Sequence, residues 1–96
     1  MDKSKISDSL NVAVITTRKI LDGSAWIAYV SHDSEDGAWQ FLNQKSTELD
    51  ENDAALISLN EIMTIDSSVD ELMDLPLGWC AWRDEKNTQW NRRKLN

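Results

Sequence analysis

The chain has 96 residues, of which 41% are hydrophobic and 28% charged, with three glycines and one proline. That length suits one compact domain, and the composition excludes collagen and a disordered tail. No apolar run approaches the roughly 20 residues that a helical membrane span needs. The formal charge of -7 is unevenly placed: residues 1–30 carry net +1, residues 31–76 net -11 and residues 77–96 net +3.

A middle segment this acidic repels phosphate backbones and anionic headgroups, so neither nucleic acid nor a membrane is expected as a partner. It attracts cations over a Debye length of about 8 Å at physiological salt. A plain solubilising face is the competing role. Cys80 is the single cysteine, so no intrachain disulfide forms. The start, Met1-Asp2-Lys3-Ser4-Lys5, runs into polar sequence rather than an apolar signal core, which points to the cytoplasm.

Residues 1–10 are polar and are expected to form a flexible N-terminal segment. A single α+β domain is expected over 11–91, followed by a basic C-terminal tail over 92–96. Val12, Val14 and Thr16 alternate with Ala13, Ile15 and Thr17, and this β-branching predicts a strand over 11–20. Ala25-Trp26-Ile27-Ala28-Tyr29-Val30 is apolar at both parities, as a buried strand would be. Asp22-Gly23 between the two predicts a hairpin turn. After a polar turn, Ala38-Trp39-Gln40-Phe41-Leu42 resumes a strand, with Trp39 and Phe41 on one face.

An acidic loop over 44–53 precedes a short apolar segment, Ala54-Ala55-Leu56-Ile57-Ser58-Leu59, read as a strand with a helical start as the alternative. Asn60 is placed to cap a turn through Glu61-Ile62-Met63. Ser68-Val69-Asp70-Glu71 has the spacing of a capping box, and Val69, Leu72 and Met73 share one helical face. Leu75-Pro76 ends that helix. Trp79-Cys80-Ala81-Trp82-Arg83 then reads as a strand, turning at 84–87 and returning over Thr88-Gln89-Trp90. The fold class expected is α+β: an antiparallel sheet of about five strands, with one or two short helices on one face.

Chemistry finds little support. A thiol enzyme would pair Cys80 with His32, but Cys80 lies between apolar neighbours where burial makes a thiol inert. The carboxylates around Asp33 and Asp50 match only fragments of a calcium loop, and one His with one Cys cannot build a zinc site. No catalytic residue, metal ligand or cofactor is expected. Five tryptophans stand out instead. Trp26 and Trp39 are read as core. Trp79 and Trp82, three apart on one strand, must face opposite sides, so one of them is offered to a partner.

Several motifs carry a family resemblance. Asp33-Ser34-Glu35-Asp36-Gly37-Ala38-Trp39-Gln40-Phe41 resembles an acidic turn followed by a Gly/Ser-x-Trp-x-Phe strand. Ile57-Ser58-Leu59-Asn60-Glu61-Ile62, Asp66, Leu72-Met73-Asp74-Leu75-Pro76-Leu77-Gly78 and Trp82-Arg83-Asp84 are similar to the second half of the same family. The family is a small bacterial domain called immunity-protein-33-like, and the resemblance covers about 11–90. A longer basic tail and a hairpin tip without glycine, Glu85-Lys86-Asn87, are departures. The resemblance implies a non-enzymatic protein that binds and neutralises a toxin, with no catalytic residues to carry over.

The expected role is therefore a protein-binding domain whose partner is a protein, a cationic toxin. Asp33, Glu35, Asp36, Asp50, Glu51 and Asp53 would steer encounter, and Trp79 or Trp82 would supply residence time. Two other readings compete: a structural or regulatory domain that homodimerises through its aromatic strand, and a carboxylate-based enzyme or metal-binding domain. The sequence leaves the oligomeric state open.

Overall fold

The computed structural model describes residues 11–44 and 50–95; the segment expected to be flexible, 1–10, lies outside them, as does the middle of the acidic loop. The sheet has six strands in the order β4-β1-β3-β2-β5-β6. They are β1 (Ala13–Thr17), β2 (Tyr29–His32), β3 (Trp39–Leu42), β4 (Ala54–Ser58), β5 (Trp79–Trp82) and β6 (Asn91–Lys94). Two α-helices, α1 (Arg18–Leu21) and α2 (Leu59–Ile65), and 3-10 turns at Glu51–Asp53 and Ser67–Leu72 complete the described elements. The α+β class holds, but the sheet is mixed and six-stranded: β1 and β3 run parallel, and every other pairing is antiparallel.

The predicted hairpin between 11–20 and 25–30 does not form, because β3 inserts between β1 and β2. The β-branched run stops at Thr17, whose hydroxyl accepts from the Ile20 amide and starts α1. Asp22-Gly23 then ends that helix instead of joining two paired strands, with Gly23 at φ +84°. The chain crosses to β2 through 24–28, burying Ile27 and Ala28. Thr16 Oγ1 donates to the Phe41 carbonyl at 2.8 Å across the parallel pair, so a hydroxyl inside the core is satisfied.

The cap of α2 is Ser58, not Asn60: the Ser58 hydroxyl takes the Glu61 amide while the Glu61 carboxylate takes the Ser58 amide. Asp66, not Ser68, caps the second 3-10 turn. β5 and β6 form a hairpin, and Asn87 supplies its left-handed residue at φ 67° where glycine is missing. The returning strand starts at Asn91, after the expected Thr88-Gln89-Trp90. Arg92, Arg93 and Lys94, read as a tail, are strand residues paired with Ala81, Cys80 and Trp79.

One face of the sheet supplies Val14, Val30, Phe41 and Ala81 to the main core. The helices and turns cover it with Ile20, Leu59, Ile62, Val69, Leu72 and Leu75. Each such side chain contributes about 1.5–3 kcal/mol on burial. The other face buries Tyr29, Leu42 and Cys80, with Trp82 packed against them. Among the described residues no helix is long and apolar enough to cross a membrane.

Candidate functional site

The deepest polar feature was not singled out as a site by the sequence reading. Arg83 is fully buried just after β5. Its Nε donates to the Ile27 carbonyl at 3.0 Å, Nη1 to Ser68 Oγ at 3.1 Å, and Nη2 to Asp66 Oδ2. Ser68 Oγ donates to Asp66 Oδ1 at 2.7 Å and accepts from Trp90 Nε1 at 3.2 Å. The guanidinium lies 4.2 Å from the Trp90 ring centroid and 5.7 Å from that of Trp26, so Trp26, read from the sequence as core, is half-buried and flanks the cation instead. Burial raises the Asp66 pKa, but hydrogen bonds from Ser68 and Arg83 outweigh it and hold the carboxyl below its ordinary value. The ion pair is nearly closed to solvent and its partners are satisfied, which fits a structural lock joining the residue after β5, the Ser67–Leu72 turn and Trp90 just before β6. The signal for it was present in the family motif, since Asp66 and Arg83 both belong to it.

The expected partner-binding residues divide between the two ends of the sheet. Asp33, Glu35 and Asp36 lie in the turn joining β2 to β3, beyond the His32–Trp39 pair. Asp33 Oδ1 accepts the Glu35 amide at 2.7 Å and Asp36 Oδ1 the Ala38 amide at 2.9 Å, so two of the carboxylates also shape the turn. Residues 76–78 pack alongside: the Gly78 amide donates to the His32 carbonyl at 2.7 Å, and an added Cβ on Gly78 would come within 3.3 Å of Ser34 Cβ. Leu77 is 55% exposed there. Trp79 follows, half-buried, on the strand position paired with His32. His32 stacks on Trp39 with ring centroids 3.9 Å apart and donates from Nδ1 to the Leu75 carbonyl at 2.7 Å.

Asp50, Glu51 and Asp53 precede β4 and lie at the other end, where Ala54 pairs with Thr17. Trp82 is at that end too, but on β5, four strands from β4 and thus roughly 19 Å away. The eight residues therefore do not form one patch. Asp33, Glu35, Asp36 and Trp79 come together; Asp50, Glu51 and Asp53 make a second group; Trp82 stands apart.

Trp79 and Trp82 do face opposite sides. Trp79 packs on the main core, and Trp82 on the Tyr29–Leu42–Cys80 cluster. Trp82 lines a pocket of about 270 Å³ with Tyr29, Cys80 and Arg93, and Arg93 lies 5.7 Å above its ring. Burial and the neighbouring Cys80 push the Tyr29 phenol up to about 12. Cys80 and His32 project from opposite faces of the sheet, because Ser31 pairs with Cys80 and His32 with Trp79. No thiol–imidazole dyad can assemble from them. Among the described residues no group of His, Cys, Asp or Glu is arranged to hold a metal ion.

The features define a small α+β domain whose buried polar groups are spent on its own fold and whose carboxylates rim its ends. It belongs to the immunity protein Imm33 domain family, which it matches over residues 8–94. No curated protein and no solved structure matches the chain.

Proposed function

We propose that the chain is an immunity protein of the bacterial cytoplasm that neutralises a cationic toxin by binding it, with no catalytic step. The observation that carries the reading is the turn end of the sheet, where Asp33, Glu35 and Asp36 stand beside exposed Leu77 and half-buried Trp39 and Trp79. Carboxylates at a rim speed encounter with a basic surface, while apolar and aromatic side chains at its centre slow dissociation. Family membership supplies the general expectation of a protein partner. The enzyme reading gains nothing from the site, since the Asp33 and Asp36 carboxylates accept backbone amides in a surface turn.

Co-expression tests it. A cell producing the toxin encoded beside this chain in its host survives when the chain is made and dies when it is not. The purified pair forms a stoichiometric complex. Survival without complex formation, or turnover of the toxin by catalytic amounts of the chain, rejects the binding mechanism.

A further inference from the structure

The helices and the Ser67–Leu72 turn cover one face of the sheet, and β2, β5 and β6 build a pocket on the other. Tyr29 stands opposite Trp82, and Cys80 opposite Arg93, so the four side chains project from the same side of three adjacent strands. Together they line a volume of about 270 Å³. Tyr29 and Cys80 are buried and form its floor, while half-buried Trp82 and exposed Arg93 form its rim. Trp, Tyr and Arg are the side chains that most often dominate binding energy, and one pocket holds all three. The arginines around it differ in what they meet. Arg83 pairs with Asp66 and Arg92 with Asp74. Arg93 lies 5.7 Å above the Trp82 ring, and among the described residues no carboxylate pairs with it.

The Arg93 guanidinium decides what can enter. A basic side chain is repelled. A purely apolar one strips water from the cation and gives nothing back. A phosphate wants several strong donors, and beyond Arg93 the pocket offers only a phenol, a thiol and an indole N–H. A carboxylate takes the guanidinium fork through both of its oxygens. The volume is below the roughly 300–1,000 Å³ of sites that hold whole small molecules, so one side chain fills it. We infer that this pocket receives a glutamate side chain of the toxin, with its methylenes on the Trp82 indole and its carboxylate on Arg93. The inference rests on the toxin-binding reading and adds to it a contact of opposite sign. A toxin that meets the acidic ends of the sheet with basic residues, and the β6 edge with an acid, is held in one orientation, because a misplaced charge of either sign is repelled.

A peptide pair tests the pocket: acetyl-Ala-Ala-Glu-Ala-Ala-amide, and the same peptide with glutamine in place of glutamate, each titrated into the isotope-labelled full chain. The glutamate peptide should move the Trp82 indole N–H resonance, assigned with Trp82→Phe, with a Kd of about 1–10 mM, and the glutamine peptide should bind at least tenfold more weakly. A chain of charge -7 repels an anionic peptide in general, so a preference for it reports a local cation. Arg93 is exposed, so Arg93→Gln should keep the parent unfolding midpoint and make the two peptides bind alike. Arg93→Lys keeps the charge without the fork and should fall between. No movement of the Trp82 resonance, or equal binding of the two peptides by the parent chain, overturns the proposal. So does a concentration-dependent dimer in sedimentation that R93Q dissolves, because a second copy would then supply the carboxylate. With the toxin itself, R93Q should weaken the complex about tenfold through faster dissociation. A complex of unchanged affinity rejects the pocket alone, whereas no complex with the parent chain rejects the toxin-binding role itself.

Discussion

Arg83 and Asp66 show how much one buried pair decides. Removing one partner strands a charge, so Asp66→Ala should cost about 3–5 kcal/mol in urea unfolding, more than any surface substitution. Because the folded carboxyl titrates below its unfolded value of about 3.9, its contribution is present above that pH and is lost as pH falls through the folded value. The Asp66→Asn variant should start less stable near neutrality and show a flatter acid limb from pH 5 to pH 2.5; a parallel limb would mean other carboxylates dominate. Tyr29 works in the opposite sense. Its phenol is raised to about 12, so its neutral form contributes below about pH 10, the unfolded value, and that contribution fades as pH rises through 12. As the only tyrosine of the chain, it can be followed by ultraviolet difference absorbance, and ionisation near pH 10 in the folded protein would contradict the burial. Neither role could be read from composition. Asp66 is one of twelve acids between 31 and 76, and only the fold brings it to a guanidinium seventeen positions away.

At the scale of elements, the caps are local and the pairings are not. Ser58→Ala removes the hydroxyl from a reciprocal capping box and should cost about 1 kcal/mol, read as a lower urea midpoint with unchanged slope. Gly78→Ala faces both a φ of +82° and Ser34 Cβ at 3.3 Å, so it should destabilise by more than 1 kcal/mol and disturb the acidic turn. Strand existence was legible because alternation and β-branching are local: Trp39–Leu42 and Trp79–Trp82 lie within the predicted segments. The opposed faces of Trp79 and Trp82 followed from parity alone. Strand order was not legible. Asp-Gly marks a change of direction, and the sequence does not say whether a helix or a partner strand precedes it; Thr17, equally at home in a strand, settled the matter by capping α1. The same limit hid the division of the acidic residues, since Asp33 and Asp50 become distant only once β1 and β3 are parallel.

Across the whole molecule, charge is sorted into regions. One edge is basic through β6, where Arg92 also pairs with Asp74 at 2.8 Å. The two acidic groups are separated by roughly 10 Å along the strands and about as much across β3 and β1. That exceeds the screening length of about 8 Å at physiological salt, so the groups act separately in the cell and together only in dilute buffer. Two triple variants exploit this. Asp33→Asn with Glu35→Gln and Asp36→Asn keeps the side-chain oxygens that accept amides in the turn, so the fold should persist while three charges disappear. Asp50→Asn with Glu51→Gln and Asp53→Asn does the same before β4. In stopped-flow association with the toxin at low salt, each triple should slow binding about tenfold and leave dissociation nearly unchanged. At physiological salt only the triple nearer the contact should still slow it. Toxin capture through the turn end predicts the first triple, and capture through the opposite end predicts the second. A rate indifferent to both triples and to salt would show that the -7 charge serves solubility and that the apolar surfaces alone hold the partner.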